Sequence, residues 1–472
     1  MKVTFIIIKI VYHTILLYCS WLMTGKFISQ PVFAQVSSTL TQSQANPLKF
    51  PTKPEEVKIL QTEVITLTQA IEIGLRNNID LQISILELER SRSALRQVQA
   101  GLFPTLNLNS NIARSQSASN QLATSSFGRL NDNPATAFSA DLQLQYQLYT
   151  SGNRTAAIAG AEEQVRESEL DVETQSETIT LNVKLEYYNL QASSEQVRIN
   201  QSALINAQAS LRDAVAQEKA GVGTRFDVLR SQVNVANTQQ LLNNALSEQQ
   251  IARRRLANLL NLSQSLNISA SDPVKLAGVW NQTVEETIIL AFQNRPELPK
   301  FIAQRNISIQ RRRQALSQLE PQISLVASYS LLDQFNDNNS VTDGYSLGVQ
   351  ASLNLFDGGA ARARAAQEKA NITIAEGNFA KQREQIRFDV EQQYTQLQSN
   401  LTNIQTTDLA LQQAKEALRL ARLRFQAGVG TQTDVIAAEN DLTRAESDRV
   451  TAILNYNRAF AFLQRAITAR VR

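Results

Sequence analysis

The chain has 472 residues, 43% of them hydrophobic and 19% charged, with a formal net charge of +3. Its one histidine (His13), its one cysteine (Cys19) and both methionines (Met1, Met23) fall in the first 34 residues, so nothing after them offers an imidazole base, a thiol, a Cys/His metal site or a disulfide. Lys2, Lys9 and Lys26 lie there too, and the 46 basic residues less these three balance 43 acidic ones, without the basic excess expected of a nucleic-acid-binding protein.

Residues 1–34 open on Lys2, run through an apolar stretch and close on Val32-Phe33-Ala34, the pattern of a secretory signal peptide cleaved after Ala34. Lys9 and His13 break the run short of the ~20 apolar residues of a spanning helix, and Tyr18 before Cys19 argues against a lipid anchor. Residues 35–65, rich in Gln, Ser, Thr and Pro, read as a flexible polar lead-in. Helical spacing begins at Thr66, where Thr66-x-x-Gln69 makes a capping box. Two strands are predicted next, at about 102–112 and 138–149. In the second, Leu142, Leu144, Tyr146 and Leu148 alternate with Asp141, Gln143, Gln145 and Gln147. A proline-free helix then runs over 153–220, and a return helix over 225–262.

After a linker at 263–282 the same order recurs over 283–472. "TLTQAIEIGLRNNIDL" at 66 matches "TVEETIILAFQNRPEL" at 283, an offset of 217 residues. Beyond the strands the offset falls to 207, so ten residues are missing from the Ser/Asn-rich loop of the second copy. Copy two predicts strands at about 321–331 and 345–356, a long helix over 360–427 and a return helix over 432–470. In its last strand Leu347, Val349, Ala351, Leu353 and Leu355 share one face, leaving Gln350 and Asn354 on the other. Four strands of about ten residues, apolar outside and polar inside, suit a lipid-facing barrel with a watery lumen lined by Gln143, Gln145, Gln147, Gln350 and Asn354. A half-buried soluble sheet would carry the same alternation. The long helices, roughly 100 Å each, call for coiled-coil packing.

Between long and return helices the chain writes "KAGVGTRFDVL" (219–229) and "QAGVGTQTDVI" (426–436). Gly221 and Gly428 suit a left-handed helix end, and Thr224 with Asp227, and Thr431 with Asp434, form Thr-x-x-Asp capping boxes. The second glycines, Gly223 and Gly430, are surplus to that need. Two explanations stand: a further positive-φ position, or close approach by a docking partner with Val222 and Val429 as apolar knobs.

Four strands cannot close a membrane barrel, so several chains must combine. The duplicated helix-strand-strand-helix-helix unit with "AGVGTxxDV" at each reversal resembles the TolC-like outer-membrane efflux family over essentially everything after residue 66. The resemblance implies a mainly α fold with a β-barrel portion. It implies a homotrimer whose 12-stranded outer-membrane barrel continues into a periplasmic α-helical barrel. It also implies a non-enzymatic exit duct for multidrug efflux or type I secretion, without cofactor or metal. The helical tips (Gly221, Val222, Gly223, Thr224, Gly428, Val429, Gly430, Thr431) would dock a periplasmic adaptor tied to an inner-membrane transporter of the RND or ABC type. Partners are then the chain itself, the adaptor, the transporter and outer-membrane lipid. Gate acids in the family match Asp227 and Asp434. The second acid of the return helix is Ala437 here, and the Tyr and Arg partner positions hold Gln426 and Gly430. A periplasmic or secreted coiled-coil scaffold would share the helices but has no use for the strands. A diffusion porin would share the strands but not the helices.

Overall fold

A computed structural model describes residues 50–59, 61–116, 134–263, 266–335 and 341–467. The expected signal segment and most of the polar lead-in lie outside them, as do the tips of both strand–strand loops. From Thr52 onward the described residues belong to one unit.

In chain order that unit contains α1 (Pro54–Val57), β1 (Gln61–Ile65), α2 (Leu67–Asn77), α3 (Ile79–Gln99), β2 (Thr105–Ser115) and β3 (Ala135–Tyr149). Then come α4 (Asn153–Lys219), α5 (Arg225–Leu259), β4 (Leu266–Ala270), α6 (Val284–Asn294) and α7 (Glu297–Ser317). The chain finishes with β5 (Gln322–Gln334), β6 (Thr342–Ser352), α8 (Ala360–Gln426) and α9 (Gln432–Ile467).

The helical stretch that begins at Thr66 is two helices, because Asn78 leaves helical backbone at ψ 127° and its side chain caps the N–H groups of Asp80 and Leu81. In the second copy Arg295-Pro296 makes the same break, since Pro296 has no N–H to continue α6 and sets φ for the start of α7. Both capping boxes are present, with Gln69 N–H donating to Thr66 and Glu286 N–H to Thr283. The lead-in and the linker are more ordered than their composition suggests. Residues 61–65 and 266–270 pair as a parallel two-stranded sheet, from Gln61 opposite Leu266 to Ile65 opposite Ala270. Five residues are too few for a periodicity, and the partner strand is far along the chain. Tyr187 of α4 fastens this sheet, its hydroxyl lying 3.0 Å from the Ile65 carbonyl and 2.8 Å from Asp272.

The larger sheet is an antiparallel meander in the order β2-β3-β5-β6. Left-handed Ser151 and Gly152 turn β3 into α4, and Gly358 and Gly359 turn the chain into α8. Arg154 donates to the carbonyls of Gly101 and Gln147, and Ser151 to that of Pro321, which tie the sheet to the helices.

The helices pack as α5 on α4, α4 on α9 and α9 on α8, while α3 and α7 flank the sheet-proximal part of α4 and α7 also meets α8. A core cluster of the second copy joins Ile386, Val390 and Leu397 of α8, Ala291 of α6, and Ile453, Tyr456 and Leu463 of α9. Each large buried apolar side chain there contributes roughly 1.5–3 kcal/mol.

Candidate functional site

The register of the meander sorts most side chains by chemistry along the middle of each strand, the exceptions being Ser110 on the apolar face and Val326 on the polar one. Directly paired residues share a face, so Asn107, Gln143 and Ser328 lie together, as do Asn109, Asp141 and Ser330. Gln145 joins them beside Thr105, and Gln147 and Gln350 both sit opposite Ser324. On the other face Leu108 pairs with Leu142, Leu106 with Leu144, Ala327 with Leu347 and Leu325 with Val349. On the edge strands these apolar side chains are open to the surroundings, Leu108 at 69% and Leu347 at 72%. Arg114, Asp333 and Asp343 stand on the apolar face only near its loop end. Aromatics mark the two ends, with Tyr345 beside Tyr329 toward the loops and Tyr146 toward the helices. A contiguous apolar face of this size is built for lipid, and the aromatic placement is that of membrane interfaces.

One lumen residue expected from the alternation falls outside the sheet. Asn354 lies beyond β6, which ends at Ser352. The ladder closes at Gln322 opposite Ser352, and the next residue back on β5 is Pro321, which has no N–H to donate. Leu353 and Leu355 extend the apolar alternation past the last hydrogen bond, which is why the sequence pattern overran the strand. Both edge strands, β2 and β6, are 11 residues long and lack a further partner among the described residues.

At the opposite end of the helices Gly221 and Gly428 adopt φ of 78° and 71°. The N–H groups of Val222 and Gly223 both donate to the Gln217 carbonyl, and those of Val429 and Gly430 to the Arg424 carbonyl. Gly223 and Gly430 have no positive φ, which removes one of the two explanations for them. They are needed by their own chain. A Cβ on Gly223 would sit 2.9 Å from Gln217 Cβ and from the Glu218 nitrogen, and one on Gly430 would sit 3.0 Å from Arg424 Cβ and the Phe425 nitrogen. The doubled glycine therefore lets the loop fold back onto the last helical turn, and no external backbone is required to explain it. Thr224 and Asp227 form a reciprocal box, and Asp434 accepts from the Thr431 N–H at 3.0 Å. That bond, and then the Thr431 side chain, hold the Asp434 carboxyl below the usual aspartate range. Val222 and Val429 project outward, 78% and 69% exposed.

Midway along the helices lies a charged junction that the sequence did not single out. Arg295 is paired with Glu297 at 2.9 Å and Asp389 at 3.5 Å, and Arg465 of α9 bonds both Glu297, at 3.0 Å, and Thr178 of α4. Beside it Glu177 lines a cleft of about 760 Å³ with Arg92, Arg166, Glu173, Lys184 and Arg465. Burial, then the neighbouring Glu297 charge, push the Glu177 carboxyl up to about 7. These residues come from five helices of both copies, so no local spacing announces them.

The family model described as outer membrane efflux protein matches residues 70–262 and 287–469, one stretch for each copy. The chain belongs to the outer membrane efflux protein family. It is 26% identical over 389 residues to the pyoverdine export outer membrane protein OpmQ of Pseudomonas aeruginosa, covering 81% of each chain. It is 24% identical to the alkaline protease secretion protein AprF of the same organism, covering 82% of each. Among solved structures the outer membrane protein VceC of Vibrio cholerae superposes with a TM-score of 0.73 at 19% identity, over 86% of this chain and 97% of that one. Membership assigns the sheet to the outer membrane and the long helices to the periplasm. It also gives the two ends their meaning for an efflux family member. Gln143, Gln145, Gln147 and Gln350 share the polar face at the membrane end, whereas Asp227, Asp434 and the eight tip residues lie at the far end of the helical hairpins. Among the described residues no helix is long and apolar enough to cross a membrane.

Proposed function

We propose that three copies of the chain assemble into a twelve-stranded barrel continuous with a helical tube, and that this trimer is an exit duct rather than an enzyme. The observation that carries the proposal is the four-stranded meander, apolar on one face and Asn/Gln/Ser-lined on the other, with both edges open. Unpaired strand edges are not tolerated in hydrocarbon, and β6 of one copy runs antiparallel to β2 of the next, so closure continues the existing ladder. Gln143, Gln145, Gln147 and Gln350 then line a water-filled pore. A signal peptide over residues 1–34 directs the chain across the inner membrane.

The relatives named for pyoverdine export and alkaline protease secretion support a duct that passes cargo delivered by other components. The tips carrying Val222, Thr224, Val429 and Thr431 meet a periplasmic adaptor, and an inner-membrane transporter of the RND or ABC type supplies the energy. Asp227 and Asp434 cap their helices and, in the trimer, place six carboxylates near the narrow end, where multivalent cations would bind. The cargo class is small toxic compounds or proteins. Mass measurement of the protein in mild detergent should give three copies, and deletion of the gene should change either the exoproteome or a drug-sensitivity panel. A stable folded monomer, or a deletion strain unchanged in both assays, would refute the reading.

A further inference from the structure

The cleft beside Glu177 has an apolar lining and a cluster of unmet polar groups at one end. Its floor is α4, its walls are α3 and the end of α9, and it follows α4 from Arg166 to Lys184, roughly 27 Å at the helical rise per residue. Leu170, Leu181 and Ala461 line it as buried side chains, with Leu88 half-buried on the α3 wall. Toward the Lys184 end, Glu177 Oε2 and Arg465 Nε are buried and make no hydrogen bond among the described residues. Lys184 donates at 2.8 Å to Gln464 Oε1, a neutral carbonyl, and burial pulls its ammonium below the ordinary lysine value. Burial is also the first cause that lowers the Arg465 guanidinium. Buried donors and cations left in this state are stabilised by an anionic head group that accepts from them.

The repeated fold does not demand these residues. Two copies that share a shape should share what the shape needs, yet the offsets of 207 and 217 put other residues at the counterparts. Lys184 corresponds to Glu391, Leu170 to Gly377, Arg465 to Asn258, Ala461 to Arg254 and Leu88 to Arg305. Glu177 corresponds to Glu384, which is exposed and pairs with Arg383 at 2.8 Å. The cleft also opens on the side of the helices opposite β1, β4, α2 and α6. Residues 177 and 179 point to opposite sides of α4, and it is Ile179 and Val183 that meet α2 at Gly74. On α9 Tyr456 and Leu463 share a cluster with Ala291 of α6, while Ala461 and Arg465 line the cleft. Because α3, α4, α7 and α8 stand side by side, three chains make a ring of twelve helices at this level. At about 8–10 Å between axes the bore is roughly 20–28 Å across, and three inward layers about 10 Å thick would close it. The small elements therefore lie outside the tube, and the cleft faces its lumen.

We infer that this cleft binds an amphipathic organic carboxylate, its head held by Lys184, Arg465 and Glu177 and its alkyl tail laid along Leu181 and Leu170 toward Leu88. The site is built by one chain; its position on the cargo path rests on the trimeric duct of the preceding section. Leu88→Trp places an indole where the tail should end, and Trp280, the one other tryptophan after residue 34, is an unchanged background. The protein in lipid nanodiscs is titrated with ω-bromododecanoate, whose bromine quenches indole fluorescence on contact, and with ω-bromododecanol as its neutral match. The expected result is saturable quenching of the introduced indole, about 10-fold tighter for the carboxylate than for the alcohol. Lys184→Gln should erase that preference and Lys184→Arg should keep it, while Arg166→Gln, at the other end of the cleft, should leave it unchanged. Quenching that never saturates, equal affinity for acid and alcohol, or a preference lost in Arg166→Gln but kept in Lys184→Gln overturns the site. Mass measurement on the same samples separates this inference from the duct. A trimer without saturable quenching removes the site and leaves the duct, and a folded monomer that still binds does the reverse.

Discussion

Replacing Gly223 and Gly430 by alanine separates a local explanation of the tip from a docking one. The added Cβ at Gly223 would meet Gln217 Cβ and the Glu218 nitrogen at 2.9 Å, closer than such contacts occur, and both obstacles belong to a helical turn held by two hydrogen bonds to the Gln217 carbonyl. Backbone cannot step aside as a flexible side chain can, so overpacking costs about 1–3 kcal/mol at each tip. Local opening of the tip then becomes about 5- to 150-fold more frequent. Amide hydrogen exchange measures this directly at the peptides spanning 217–223 and 424–430. Gly221 is the control, because a Cβ there meets nothing within 4 Å and the obstacle is its φ of 78°. Asparagine tolerates that backbone, so Gly221→Asn should exchange nearly as slowly as the parent while Gly223→Asn exchanges fast. Unchanged tip exchange in the double alanine variant, together with loss of crosslinking to the adaptor, would refute the local account and restore these glycines to docking.

Two other expectations test the junction and the membrane face. Glu177 has its carboxyl raised from 4.5 to about 7, so the folded state holds the proton more tightly than the unfolded one. Its contribution to stability is complete below pH 4.5 and is lost as pH rises through about 7; Glu177→Gln should abolish that loss, worth about 1–2 kcal/mol after allowing for solvent screening at a half-open site. Thermal unfolding in detergent across pH 5–9 followed by circular dichroism checks this, and parallel pH profiles for parent and variant would contradict it. Leu347→Arg puts a charge on the apolar face near the middle of β6 and should cost about 2–4 kcal/mol of insertion into lipid vesicles. Ser346→Arg, on the opposite face, should insert almost normally, and equal losses for the two would mean that the faces are misassigned.

The helices and strands were legible because each has a period that a single stretch of sequence can display. Leu142 through Gln147 alternate by two, and the long helices announce themselves by length, the absence of proline and capping residues at both ends. What escaped depended on partners distant in sequence. The pairing of 61–65 with 266–270 is one case, and the end of β6 is another, fixed by Pro321 on the neighbouring strand rather than by anything in residues 345–356. At the tip the motif was visible but the steric need for its second glycine was not, because the atoms it accommodates lie six residues back in the helix and reach it only when the loop folds.

Duplication makes the same point about function. The repeat is conspicuous where its two copies agree, at the capping boxes and the glycine turns, and agreement explains why both hairpins have the same shape. The copies disagree where the two hairpins of the chain are bonded to each other: Glu439 against Gln232, Ser210 against Ala417, Arg422 against Val215. Glu439 of α9 accepts from Ser210 of α4, Arg422 of α8 and Asn234 of α5, so the bonds that tie the two hairpins together rest on residues the two copies do not share.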